Sequence, residues 1–296
     1  MTRLRLGTRR SPLAMAQARH VADLLAATGV DCEIVPVDTS GDRRRDVPLT
    51  TLGGQGVFAV EIQRALAAGE VDAAVHSAKD LPSATPQGLA LACVPERRDA
   101  ADVLVGRSLA GLGPGSTVAT GSPRRRALLL ERRPDLNVVE LRGNMATRLA
   151  RAGGDVDAIL AAAAALERLG ESDKVAERLD PSWFVPQVGQ GAIAVEARED
   201  DEIALRALAG IDDALAHAAI RCERAFLRTL GTGCSVPAGA HALVTGDAIT
   251  VRGVMLAIDG TSSVREEMTG TDPEDLGATL AHVLADERGG RSLAGW

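Results

Sequence analysis

The feature that most constrains this chain is its alternation of short apolar runs with stretches that carry apolar residues at helical spacing. Strand followed by amphipathic helix is the unit of a parallel α/β layer, not of a sandwich or a bundle. Leu4 to Gly7 reads as a strand. Ser11-Pro12 then supplies a helix N-cap and first turn, and the helix runs to Gly29, a fitting C-terminal glycine. Cys32 to Val37 reads as a second strand, Phe58 to Ala68 as a helix ended by Gly69, and Asp72 to His76 and Leu89 to Val94 as further strands. Pro95-Glu-Arg-Arg-Asp99 then breaks the pattern with a proline and four charges, which suits a crossing between domains.

A second block repeats the first. A strand at Thr117 to Thr120 leads into Ser122-Pro123 and a helix to Arg133, stopped by Pro134. A strand at Asn137 to Leu141 leads into Arg142-Gly-Asn144 and another helix, and Asp155 to Leu160 and an alanine-rich helix ending at Gly170 complete the block. The glycine- and proline-rich stretch Phe184 to Gly191 suits a return crossing, ahead of a strand at Ile193 to Ala197. A long helix from Asp212 to Leu230, a tight loop at Gly231 to Pro237, strands near Ala248 to Ile258 and a helix near Pro273 to Asp286 predict a small α+β tail. The expectation is three domains and two crossovers: 1–94 with 191–210, then 98–187, then 213–296. A chain of 296 residues, 46% of them hydrophobic, is long enough for that, at about 100 residues per core.

The longest apolar stretch, Ala158 to Leu166, is far short of the roughly 20 residues needed to span a bilayer. The first residues lack the apolar block of a signal peptide, so the expected location is the cytoplasm, with the four cysteines reduced. The net charge of −7 conceals an uneven distribution: Arg97 to Arg151 holds eleven arginines against five acids. That segment suits an anionic ligand. Nucleic acid is excluded as a partner by the acidic remainder and by the scarcity of stacking side chains, with 2% aromatics and no tyrosine, and small carboxylate or phosphate ligands fit better.

Ser122-Pro123-Arg124-Arg125-Arg126 puts three arginines at the helix end that already carries positive partial charge. An anion there would accept from free N–H groups and guanidinium forks together; a solvated basic face is the alternative. Arg9-Arg10-Ser11-Pro12 and Arg142-Gly143-Asn144 with Arg148 repeat the arrangement, and all three junctions would lie at carboxyl ends of strands, where open α/β sheets bind ligands. His76-Ser77-Ala78-Lys79-Asp80 stands where a strand gives out. It is either an ordinary turn or a positioned carboxylate for general acid–base work. A Ser-His-Asp triad is excluded, because neighbours on a strand face opposite ways and no Gly-x-Ser-x-Gly elbow exists. Cys234, flanked by Gly231 and Gly233 in a loop, is a candidate thiolate or attachment point, whereas Cys32, Cys93 and Cys222 read as core. Gly189-Gln190-Gly191 imitates a dinucleotide fingerprint but precedes a strand, the reverse of what that site needs. The five scattered histidines and unpaired cysteine spacing indicate no metal site.

Taken together, Thr8-Arg-Arg-Ser-Pro-Leu-Ala14, Gly53-Gly-Gln-Gly-Val-Phe58, His76-Ser-Ala-Lys-Asp-Leu-Pro82, Ser122-Pro-Arg-Arg125, Leu141-Arg-Gly-Asn144 with Thr147-Arg148, Val188-Gly-Gln-Gly191 and Gly233-Cys-Ser-Val-Pro237 resemble the porphobilinogen deaminases, or hydroxymethylbilane synthases. The resemblance implies two α/β domains like those of type II periplasmic binding proteins around a cleft, plus a small α+β domain carrying a dipyrromethane cofactor as a thioether on Cys234. It implies a transferase that condenses four porphobilinogen molecules head to tail, losing ammonia each time, for tetrapyrrole and heme biosynthesis. Asp80 would be the catalytic group. Arg9, Ser11, Arg124, Arg125, Arg142 and Arg148 would hold the acetate and propionate arms, with Lys79, Thr120, Ser122 and Arg168 assisting, and Phe58, Ser77 and Gln190 would line the cleft. The family suggests a monomer. Gln55 and Thr51 stand where relatives often carry lysine, and Ala78 where methionine is frequent. Rival readings are a non-catalytic anion-binding protein, which has no use for a loop cysteine, and a phosphate transferase, which lacks its glycine loop with lysine.

Overall fold

The computed structural model describes residues 3–38, 59–231 and 236–294. Strand β1 (Leu4–Arg9) pairs in parallel with β2 (Cys32–Val37), from Leu4 opposite Cys32 to Arg9 opposite Val37. Between them α1 (Pro12–Ala27) begins as the sequence predicts: Ser11 is extended, its Oγ accepts from the Ala14 N–H at 3.3 Å, and Pro12 occupies the first turn. Its buried Ala18, Val21 and Leu25 recur at helical spacing and pack on Leu4 and Leu6 of β1. The chain continues through α2 (Val60–Ala67), β3 (Ala73–Ser77) and β4 (Leu89–Cys93).

Beyond Val94 it leaves this sheet. A second sheet is built from β5 (Asp102–Gly106), β6 (Thr117–Ala119), β7 (Asn137–Val139), β8 (Ala158–Ala162) and β9 (Val175–Arg178), with α3 (Pro123–Arg132), α4 (Met145–Leu149) and α5 (Ala163–Arg168) between strands. Then β10 (Ile193–Arg198) returns to the first sheet, followed by α6 (Glu202–Ala209) and α7 (Ala214–Leu230). A three-stranded antiparallel sheet of β11 (Ala238–Thr245), β12 (Ala248–Leu256) and β13 (Ser263–Gly270), with α8 (Pro273–His282), a π-helical turn over Val283–Glu287 and α9 (Gly290–Ala294), completes the fold.

The two larger sheets share one topology. The first is ordered β2-β1-β3-β10-β4 and the second β7-β6-β8-β5-β9, so in each the strand received by crossing sits fourth. Each sheet mixes its parallel strands with antiparallel ones: β10 is antiparallel to β3 and β4, and β5 to β8 and β9. A strand reached by crossing enters from the carboxyl ends of its new neighbours, not by returning over a helix, and so runs against them. The strand expected over Asp155–Leu160 lies at Ala158–Ala162, because Asp157 caps the Thr117 N–H at 2.8 Å while the following apolar run is buried throughout. Strands β5 and β9 were not anticipated.

The third unit touches both lobes. Ala216 and Ile220 of α7 join Val94, Ala192 and Ala194 in one apolar cluster, whereas Val254 and Leu256 of β12 complete the core of the second sheet around Leu104, Leu128 and Phe184.

Candidate active site

The three arginine-bearing junctions form as N-caps. Ser11 caps α1, Ser122 caps α3 by accepting from the Arg125 N–H at 3.4 Å, and Asn144 caps α4 by accepting from Thr147 at 2.9 Å. Each follows the carboxyl end of a parallel strand, β1, β6 or β7. Strand β3 ends at Ser77 and tightens into one 3-10 turn, Ala78–Asp80, anchored by buried Ala78 and Leu81. That turn presents Lys79 and Asp80. A pocket beside it is lined by Arg9, Ser11, Gln17, His76, Ser77 and Asp80. Ser77 Oγ and the Gln17 amide exchange contacts of 2.8 and 3.0 Å, which fixes the strand end against α1.

Among the described residues none donates a hydrogen bond to the Asp80 carboxylate, yet two cations, Lys79 and Arg148, interact with it, and Arg125 acts on both of them. Burial, then the like charge of Arg125, pushes the Lys79 ammonium down to about 8, against the pull of Asp80 and Asp102. Burial and then Arg125 also lower Arg148 of the second lobe, and Asp80 and Glu140 act the other way. Asp80 therefore faces guanidinium charge from the opposite lobe, and the cations crowd one another in a setting where an added anion relieves repulsion.

Below this level lies a buried network. Asp102, fully buried at the start of β5, accepts from Arg124 Nη2 at 2.7 Å, Arg125 Nε at 2.8 Å and Gln190 Nε2 at 2.9 Å. Burial opposes its ionisation, but the two arginines prevail and hold it below the usual carboxylate range. Two of the expected site residues, Arg124 and Gln190, belong to this network. Arg124 is 3% exposed and also gives Nη1 to Val185 O at 2.6 Å. Gln190 is fully buried.

The other expected residues divide. Arg9, Ser11 and Ser77 line the pocket with Asp80, and Arg125 and Arg148 face the Asp80–Lys79 turn. Ser122 and the buried Thr120 are used locally, Thr120 Oγ1 accepting from the Ser122 N–H at 3.2 Å. Arg142 is exposed and pairs with Glu140 at 3.5 Å. Arg168 is not brought to Asp80: it donates to Gly191 O at 2.8 Å, and its charged neighbours are Glu167 and Arg98. Phe58 and Cys234, with the Gly53–Phe58 segment, lie outside the described residues.

Sequence reasoning missed the buried acids, Asp102 and Glu223 among them. Glu223 Oε1 accepts from Arg97 Nη1 at 2.6 Å and Ala242 N at 2.8 Å, and Oε2 from Gly189 N at 2.7 Å. The available signal was an acid inside an apolar run, before Val103-Leu104-Val105 in one case and within Cys222 to Leu227 in the other.

Family models describe residues 4–206 as a porphobilinogen deaminase dipyromethane cofactor binding domain and residues 217–286 as a porphobilinogen deaminase C-terminal domain. A porphobilinogen deaminase of Roseiflexus castenholzii is 47% identical over 99% of both chains, and one of Syntrophotalea carbinolica is 44% identical over 98% of this chain and 95% of its own. The chain belongs to the porphobilinogen deaminase family. Among solved structures, the methionine binding protein MetQ aligns with a TM-score of 0.44 at 14% identity, over 73% of this chain and 92% of that one.

The family's activity is the condensation of porphobilinogen toward tetrapyrroles, and its larger domain binds a dipyrromethane cofactor. The residues here fit that group. A dipyrrole offers ring N–H donors and several carboxylates; the lobes offer an Asp80 carboxylate lacking a donor among the described residues, with Lys79 and Arg148 in electrostatic reach of it and Arg125 in reach of both those cations.

Proposed function

We propose that Asp80 is the catalytic group of a hydroxymethylbilane synthase that joins four porphobilinogen molecules into a linear tetrapyrrole, with Cys234 tethering the dipyrromethane. The observation that carries this is a carboxylate without a donor among the described residues, facing cations of both lobes. Bound dipyrromethane supplies the free α-carbon to which the first new pyrrole is joined. Asp80 accepts from the substrate's ring N–H and stabilises the positive charge that spreads over the ring as the aminomethyl C–N bond breaks and ammonia leaves. In a closed, poorly hydrated cleft that charge stabilisation is at its strongest. A C–C bond then forms, and Asp80 helps remove the proton lost from the ring α-carbon that made the new bond. Arg9, Ser11, Arg125, Arg142 and Arg148 hold acetate and propionate arms, with Lys79 and Ser122 assisting and Ser77 forming the wall.

The working units are residues 1–94 with 191–210, 98–187, and 213–296, in keeping with the membership of the three sheets. The protein acts as a cytoplasmic monomer. No helix among the described residues is long and apolar enough to cross a membrane.

Asp80→Asn is the test. It should keep the circular dichroism of the parent and lose about 10²–10⁴-fold in turnover of porphobilinogen. Intact mass should show a covalent excess that disappears in Cys234→Ser. Near-normal turnover by Asp80→Asn would overturn the catalytic assignment, and an unmodified, fully active polypeptide the tether.

A further inference from the structure

We infer that Gln190 is a positioning residue whose side-chain amide couples the Asp80 turn to the arginine pair of the second lobe, holding Lys79 and Arg125 where the reaction needs them. The inference deepens the functional reading above and rests on it for what the two cations are held for.

The amide meets four partners. Its Oε1 accepts from Lys79 Nζ at 3.5 Å and from Arg125 Nη2 at 3.4 Å; its Nε2 donates to Ala100 O at 2.8 Å and Asp102 Oδ1 at 2.9 Å. The first two are donors only and the second two acceptors only, so one orientation of the amide satisfies all of them and the flipped one satisfies none. No other side chain of similar size combines those faces. Glutamate would set a carboxylate oxygen against Asp102, and methionine would leave all four partners without a comparable contact.

The backbone explains how the amide gets there. Gly189 and Gly191 both have positive φ, +75° and +87°, and a Cβ would lie 2.7 Å from Lys79 N at the first and 2.4 Å from Arg98 O at the second. Only glycine lets the return crossing pass between the catalytic turn and the outgoing crossing. Neighbouring contacts hold the segment: Gly189 N donates to Glu223, Gln187 Nε2 to Lys79 O at 3.3 Å, and Gly191 O accepts from Arg98 N at 3.2 Å. The Gly-Gln-Gly motif is thus a seam between lobes, with Lys79 gripped at its carbonyl by one glutamine and at its ammonium by the other.

Lys79 is faced by Asp80 on its own turn, by Arg124 and Arg125 from α3, by Asp102 from β5 and by Gln190. Changing the amide therefore changes the ammonium in a direction set by the replacement. The chain has two lysines, Lys79 and Lys174, so full-length protein labelled with carbon-13 at lysine Cε gives two titrating signals. Gln190→Met should lower the Lys79 midpoint, because a neutral acceptor is lost. Gln190→Glu should raise it, because a negative charge is added, and Lys174 should not move in either. The alkaline limb of kcat/KM should follow Lys79 in both variants, with kcat/KM reduced at least about tenfold, mostly through KM.

Lys79 midpoints that stay at the wild-type value, or move the same way in both variants, overturn the inference. Should Gln190→Glu fail to fold, Gln190→Met decides alone, an unshifted midpoint being the negative result. Wild-type turnover of porphobilinogen tests the functional reading separately: its absence would sink that reading while the Lys79 titration still settles whether Gln190 holds the ammonium.

Discussion

Glu223→Ala removes the acid that ties both crossings to the third unit. Its carboxylate is fully buried and accepts from Arg97 Nη1 at 2.6 Å and Nη2 at 3.2 Å, Gly189 N at 2.7 Å and Ala242 N at 2.8 Å. The substitution strands the Arg97 guanidinium, whose side chain is 11% exposed, and leaves two backbone N–H groups without their acceptor. Deleting one partner of a buried ion pair costs about 3–5 kcal/mol. The backbone donors add to that only as far as water fails to reach them, so the same range is the expected loss. Urea unfolding followed by circular dichroism and tryptophan emission measures it; Trp183, under the Arg132 guanidinium at 4.5 Å, reports on the second lobe. The decisive comparison is the double variant with Arg97→Ala. Once the stranded cation is gone, the double should be less destabilised than the sum of the singles by about 1–3 kcal/mol. A loss below about 1 kcal/mol in Glu223→Ala, or strict additivity, would refute the view of this acid as a clasp with Arg97 as its counter-ion.

Gly191→Ala should destabilise by more than the ~1–3 kcal/mol of backbone strain alone, because its Cβ would also meet Arg98 O at 2.4 Å; Gly29→Ala, at φ +86° with open space around it, should show the strain alone. Equal losses in the two, measured by thermal melting, would remove the close-approach argument. Burial lowers His241 to about 4, Glu223 acting against it and Arg97 with it. The unfolded chain then binds a proton that the folded one refuses, so stability should fall as pH drops from about 6.5 toward 4. Gln at this position should flatten that part of the profile, and an unchanged slope in His241→Gln would locate the acid sensitivity elsewhere.

Local signals carried well where one short stretch decides its own structure. Ser11-Pro12, Ser122-Pro123 and Asn144 start their helices because a cap needs only a side-chain oxygen and the next three residues. The Asp80 turn and the pocket residues Arg9, Ser11 and Ser77 were legible for the same reason, each standing at a strand end. Strand β5 was not legible, because its first residue is an acid whose ionised form is held by two arginines about twenty residues onward. Arg124 and Arg125 look alike in sequence, yet one reaches Asp102 and Val185 while the other reaches Asp102, Leu160 and Gln190. No spacing rule separates them, since the difference lies in which way each side chain leaves the first turn of α3.

The amino-acid order alone determined the α/β character, the repeated block and the family, since these follow from periodicity, caps and contiguous motifs. Only the folded chain decided that the exchanged strands run antiparallel, that Asp102 and Glu223 bind the crossings together, and that Gln190 is fully buried. Those outcomes join residues 34 to 126 positions apart. Their energies exist only after burial has removed water from the charges, a condition that no local pattern encodes.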